Sequence, residues 1–128
     1  MKLAVFLVED DPVLRDQLTE LIKHQCGARI VASADTEREA ASWLATHPNE
    51  WQLVVLDLFL KDGTGFGVLA TTHSMGKRHV VVLTNSATAE NRSRCLEMGA
   101  SAVFDKTTEI PEFLDHCSGR GKHSLHHA

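Results

Sequence analysis

The chain has 128 residues, 43% of them hydrophobic and 23% charged, with a formal net charge of −4. That size suits one domain with a real core, the acidic balance gives no basic footprint for nucleic acid, and no apolar run reaches the roughly 18 residues that would span a membrane. Cys26, Cys95 and Cys117 are odd in number and far apart in sequence, which suits reduced thiols in a cytoplasm better than a disulfide frame.

Leu3 to Val8 is apolar throughout, the pattern of a strand buried on both faces. It runs directly into Glu9-Asp10-Asp11-Pro12 with no small-residue cleavage site, so it reads as a strand and not as a signal peptide. Pro12 suits a first helical turn, and acids there complement the helix dipole. Leu14, Leu18, Leu21 and Ile22 then recur at helical spacing until Cys26-Gly27 closes the helix. Arg29 to Ala34 predicts a second strand, weaker because it is partly alanine. Asp35 or Thr36 caps a helix with Ala40, Trp43 and Leu44 on one side, stopped at His47-Pro48-Asn49. Trp43 and Trp51 are expected to be packing residues.

Leu53 to Leu56 predicts a buried third strand that ends on a charge, Asp57. Asp62-Gly63 and Thr64-Gly65 steps lead into a helix from Gly65 to about His73, poor by propensity but with Phe66, Leu69 and Ala70 on one face. Gly76-Lys77-Arg78 turns into a fourth strand, His79 to Thr84. Thr88 to Met98 is predicted helical, with Gly99 as its stop and a charged surface from Glu90, Arg92, Arg94 and Glu97. Ser101 to Asp105 predicts the fifth strand, followed by Lys106. Thr108 is expected to cap a last helix in which Ile110, Phe113, Leu114 and Cys117 fall at i, i+3, i+4 and i+7, ending at Ser118-Gly119-Arg120-Gly121. Residues 1–118 are then one domain and 119–128, with His123, His126 and His127, a flexible tail.

Strict β-α alternation predicts an α/β fold, a doubly wound (βα)5 sandwich with a parallel sheet. The flavodoxin-like order 2-1-3-4-5 fits, and ligands in such sheets bind outside the carboxyl ends of the strands. Glu9 and Asp10, Asp57, Thr84 and Lys106 all stand at those ends. Unpaired carboxylates about 4 Å apart repel by roughly 4 kcal/mol at an effective dielectric near 20, so the cluster needs a cation. Hard oxygen ligands with open positions suit Mg²⁺. Acids, metal, hydroxyl and ammonium together describe a phosphoryl-transfer site, in which a carboxylate attacks in line while the cations neutralise phosphoryl oxygens. Asp11, Asp62 and Asp105 are read as caps or solvated loop residues.

Val8-Glu9-Asp10-Asp11-Pro12, Leu56-Asp57-Leu58-x-Leu60-x-Asp62-Gly63-x-Gly65, Leu83-Thr84 and Phe104-x-Lys106 resemble the receiver domain of two-component response regulators, over residues 3 to about 117. The resemblance implies that Asp57 takes a phosphoryl group from the phosphohistidine of a sensor histidine kinase or phosphotransfer protein. It implies that Glu9 and Asp10 form the acidic pocket, Asp10 binding Mg²⁺ directly and Glu9 through water, with Asp57 and the Phe59 carbonyl as further ligands. Thr84 would bind a phosphoryl oxygen after transfer, Lys106 would pair with another, and Phe104 would swing inward as Thr84 moves. Such a chain catalyses its own phosphoryl uptake and loss but is not a turnover enzyme.

Lys61 stands where the family usually has proline, Asn85 where a small residue is usual, and Thr107 where proline usually follows the lysine; Phe104 lacks a hydroxyl, so its switch would rest on packing. A phosphatase with an aspartate nucleophile would need an acid where Phe59 stands. A flavin carrier's phosphate would be repelled by Glu9-Asp10-Asp11. Two alternatives stay open: a degenerate, phosphorylation-independent receiver, or the excised receiver of a larger DNA-binding regulator. The expectation is a cytoplasmic stand-alone receiver that signals to a protein partner or a second copy of itself, with no membrane and no direct nucleic acid contact.

Overall fold

β1 (Leu3–Val8), α1 (Pro12–Cys26), β2 (Ala28–Ala34), α2 (Glu37–Thr46), β3 (Leu53–Leu56), α3 (Gly65–Ser74), β4 (His79–Thr84), α4 (Ala89–Glu97), β5 (Ala102–Asp105) and α5 (Ile110–His126) alternate along the chain in a computed structural model. It describes residues 2–76 and 79–126, with side chains to residue 119. The strands form one parallel sheet in the expected order, β2-β1-β3-β4-β5. Lys77 and Arg78 of the expected turn lie outside the described residues, as do the tail's His127 and the side chains of His123 and His126.

The apolar strands are buried on both faces because helices cover both. Alternate residues split between two cores, as the period of two requires. Phe6, Val8, Val54, Leu56, Val80 and Val82 face Ala40, Leu44, Val68, Leu69 and Cys95 of α2, α3 and α4. Val5, Leu7, Leu53, Val55, Val81 and Leu83 face Leu18, Ile22, Phe113 and Cys117 of α1 and α5. Each fully buried aliphatic side chain contributes about 1.5–3 kcal/mol, and that burial positions the strand ends.

Four helices begin on a side-chain cap, worth about 1 kcal/mol each. Asp11 accepts from the N–H groups of Val13 and Leu14, Thr36 from Glu39, Thr64 from Gly67 and Thr88 from Asn91. Thr36, not Asp35, is therefore the cap of α2. Gly27 closes α1 in the left-handed region, at φ 59°. Trp51 is buried, and Trp43 stacks on Phe6 with ring centroids 4.3 Å apart.

Three expectations are corrected. Ala70 is exposed; Val68 joins Phe66 and Leu69 in the core, because α3 lies with that side against the sheet. At α5 the N–H of Phe113 donates to the Glu109 carbonyl at 2.9 Å, so Glu109 and not Thr108 stands at the helix mouth. The backbone of α5 also continues past Ser118-Gly119-Arg120-Gly121 to His126. Each glycine costs a helix about 1 kcal/mol but keeps its N–H, so it weakens the helix without breaking it. No helix among the described residues is long and apolar enough to cross a membrane.

Candidate functional site

Three backbone hydrogen bonds carry the sheet one residue beyond its strands. Glu9 N–H donates to Ala34 carbonyl (3.0 Å), Asp57 N–H to Val8 carbonyl (3.1 Å) and Lys106 N–H to Thr84 carbonyl (3.1 Å). They fix these residues side by side at the carboxyl edge. Gly65 is required there for close approach: its N–H donates to Leu58 carbonyl at 2.7 Å, and a Cβ on it would run into the Asp57 carbonyl.

Lys106 Nζ lies 2.7 Å from Glu9 Oε1 and 2.8 Å from Asp57 Oδ2, with its side chain only 8% exposed. The remaining oxygens accept from backbone: Glu9 Oε2 from Asp11 N–H at 3.1 Å, Asp57 Oδ1 from Leu58 N–H at 2.7 Å. Both carboxylates are thus buried with each oxygen satisfied. Asp10 makes no hydrogen bond or ion pair among the described residues. Glu9, Asp10 and Asp57 each offer an oxygen, all within 4.8 Å of one another. Three carboxylates against one ammonium leave excess negative charge, and an all-oxygen donor set of this kind fits a hard divalent cation.

Burial pushes the Glu9 carboxyl above its ordinary value, against the opposing hydrogen bonds from Lys106 and Asp11 N–H. For Lys106 burial works downward, but the hydrogen bonds to Asp57 and Glu9 outweigh it and the ammonium is held above its ordinary value. Burial wins at the acid and pairing wins at the base, so Lys106 stays charged at neutral pH.

Thr84 is buried at the end of β4, and its hydroxyl accepts from Ser86 N–H at 3.1 Å. Phe104 packs on α5, 6.1 Å from the Phe113 ring and 5.5 Å from His116. Phe59 pairs its backbone with Thr64 in an isolated antiparallel bridge, and its half-exposed ring meets Phe66 edge-on at 6.4 Å. Glu9, Asp10, Asp57 and Lys106 therefore converge as expected, while Thr84 and Phe104 stand one step away. Asp11 is a cap, and Asp105 accepts from the N–H and hydroxyl of Thr107.

The charged surface expected of α4 is present, with Glu90, Arg94 and Glu97 exposed and Arg92 half-buried, and its two arginines are engaged. The Arg94 guanidinium lies over the Phe66 ring, 3.9 Å from its centroid. Arg92 donates to Ala87 carbonyl (2.9 Å), Val103 carbonyl (3.0 Å) and Glu109 Oε1 (2.6 Å). Asn91 Nδ2 donates to Ser86 carbonyl at 2.8 Å. The loop that carries Ser86 and Ala87 beside Thr84 is thereby tied to α4. Helical spacing of charges alone could not distinguish Arg92 from a solvated residue.

A family model for the response regulator receiver domain matches residues 5–118. The transcriptional regulatory protein CitB of Klebsiella pneumoniae is 30% identical over 106 residues, 80% of this chain and 42% of that protein. The Fimbriae Z protein of Salmonella typhimurium is 24% identical over 113 residues, 88% of this chain and 53% of that one. The chain spans about half the length of the curated relatives it matches. Among solved structures, the non-phosphorylated HemR receiver domain from Leptospira biflexa matches with a TM-score of 0.78 at 36% identity, over 88% of this chain and 89% of that one. The CheX-CheY-BeF3-Mg²⁺ complex from Borrelia burgdorferi contains a chain that matches with a TM-score of 0.82 over 88% of this chain and 84% of its own length, at 21% identity, which bears on the fold alone.

Proposed function

This chain belongs to the response regulator receiver domain family, and from that premise we propose that Asp57 accepts a phosphoryl group from the phosphohistidine of a sensor histidine kinase or phosphotransfer protein. The reading rests on one observation: a buried carboxylate at the sheet edge, 2.8 Å from a buried ammonium and beside two further acids. One Asp57 oxygen attacks phosphorus in line, an O–P bond forms, the P–N bond to the donor imidazole breaks, and the imidazole leaves. Lys106 is positioned to neutralise a phosphoryl oxygen once that group replaces part of its present pairing.

Asp10, Asp57 and the Phe59 carbonyl, with Glu9 acting through water, would hold Mg²⁺, which when bound supplies positive charge to the transferring phosphoryl oxygens. Thr84, whose hydroxyl accepts from Ser86 N–H, would then donate its own proton to a phosphoryl oxygen, and Phe104 would follow by repacking against α5. The output is a changed α4–β5–α5 face, read by a protein partner or by a second copy of the chain. The acidic net charge argues against direct DNA contact. The chain acts on its own phosphoryl group and not on a separate substrate. Residues 119–128 lie beyond the receiver. The three cysteines are buried and form no disulfide, which suits a reducing cytoplasm.

The test is an intact mass after incubation with Mg²⁺ and acetyl phosphate. The expected gain is one phosphoryl group, lost with EDTA and lost in Asp57→Asn. Undiminished labelling of Asp57→Asn would remove Asp57 from the role.

A further inference from the structure

The loop between Asp57 and α3 is held from outside the acidic cluster. Glu37, the first residue of α2, donates its N–H to Asp62 carbonyl at 3.1 Å, and its Oε1 accepts from Thr64 N–H at 2.8 Å. Thr64 is the residue whose backbone bridges to Phe59. Phe59 and Thr64 stand opposite each other in that bridge, which is closed by the Gly65 N–H donated to the Leu58 carbonyl at 2.7 Å, so the Glu37 carboxylate holds the strand that faces Phe59. The same side chain fills the space above two glycines, since a Cβ on Gly63 or on Gly67 would run into Glu37. Gly67 costs α3 about 1 kcal/mol relative to alanine, and the Glu37 carboxylate occupies the room an alanine would need. One further contact joins the same two segments: Lys61 Nζ lies 2.7 Å from Asp35 Oδ2. With the Lys61 side chain 58% exposed, that pair is screened and weak. The Glu37 carboxylate is the stronger hold, because an N–H donated to an ionised acceptor is charge-assisted.

We infer that Glu37 is a positioning residue for the phosphoryl-transfer site: by holding Thr64 it sets the Phe59 carbonyl at the distance from Asp10 and Asp57 that a shared divalent cation requires. This rests on the reading of Asp10, Asp57 and Phe59 as the cation's ligands. A ligand carbonyl on a loop is useful only where that loop is already ordered, since ordering it on binding costs affinity. Partners that orient metal ligands from behind typically change metal affinity by about 10–100-fold when removed.

The experiment compares Mg²⁺ affinity by calorimetry, and Thr64 amide exchange by NMR without metal, in three variants of the full chain. Glu37→Ala removes the acceptor and should weaken Mg²⁺ binding about tenfold and speed Thr64 exchange. Glu37→Asp keeps the charge but is one methylene too short, and should behave like Glu37→Ala. Glu37→Gln loses the charge but keeps an acceptor oxygen, and should fall between wild type and Glu37→Ala in both readouts. Mg²⁺ affinity equal to wild type in both Glu37→Ala and Glu37→Asp, with Thr64 exchange accelerated, would reduce Glu37 to a structural contact and overturn the inference. So would a Glu37→Gln as weak as Glu37→Ala, which would make the effect one of charge. Failure of the underlying site reading looks different: wild type would bind no Mg²⁺, or Asp10→Asn would bind it as tightly as wild type.

Discussion

At Lys106 one ammonium serves two buried carboxylates, and at this scale the site is a balance that a single substitution upsets. Lys106→Met keeps most of the stem and its packing but leaves Glu9 and Asp57 facing each other without a cation. Removing one partner of a buried pair typically costs about 3–5 kcal/mol. The expected outcome is a loss of about 3 kcal/mol in urea unfolding of the metal-free chain, partly recovered by Mg²⁺, which replaces the missing positive charge. A stability within experimental error of wild type would mean that the two acids do not depend on Lys106. The same balance leaves Asp10 as the acid of the cluster that Lys106 does not engage, since Lys106 binds one oxygen of each of the other two.

At the scale of elements, side chains of α4 hold the connection between β4 and α4 that lies beside Thr84. In the proposed switch the Thr84 hydroxyl, which accepts from Ser86 N–H, would donate to a phosphoryl oxygen, while Asn91 and Arg92 pin the carbonyls of Ser86 and Ala87 beside it. Arg92 also joins α4 to the mouth of α5 through Glu109, which accepts from Asp105 N–H at 2.9 Å as well. The Arg92 guanidinium, and after it the Asp105 N–H, hold the Glu109 carboxyl below its ordinary 4.5. The folded chain therefore gives up that proton more readily than the unfolded chain. Its stabilisation is present above pH 4.5 and is lost as pH falls through the folded value. Wild type should be more stable than Glu109→Gln at about pH 6, with the difference shrinking as pH drops from about 4.5 toward 3, measured by urea melts. A gap that stays constant over that range would show that the charge of Glu109 is not what joins α4 to α5.

For the whole molecule, phosphorylation adds about −1.5 to −2 to a chain already at −4. Under the proposed switch, that charge would act through two discrete packings of Thr84, Phe104 and α5 and not through a continuous push. α5 has 17 residues where the sequence pattern indicated about nine, so the helix of the proposed α4–β5–α5 output face is about 25 Å long. Light scattering with and without a phosphoryl mimic should show a mass increase only with the mimic if this face pairs with a second copy, and no change if it serves a different protein. Specific retention on DNA at physiological salt would contradict both.

Element order, strand order and the converging acids were legible in the sequence because they depend on local rules. Apolar runs bounded by turn residues fix the strands, βα alternation fixes their order, and the residue just after each strand falls at the carboxyl edge whatever else the fold does. Glu9, Asp10, Asp57, Thr84 and Lys106 needed nothing more. Spacing along a helix tells which residues share a face but not what stands opposite that face. Only the tertiary structure could therefore set Arg92 on Glu109 and Arg94 over Phe66, carry α5 through two glycines, and bring Cys26 to Cys117, whose hydrogen bond holds the Cys26 thiol below its ordinary value against its burial. The same holds for Glu37 and Thr64, 27 residues apart, and for Lys106 and Asp57, 49 apart. Contacts over such separations form only after the sheet has assembled, and their distances are set by how the helices settle on it.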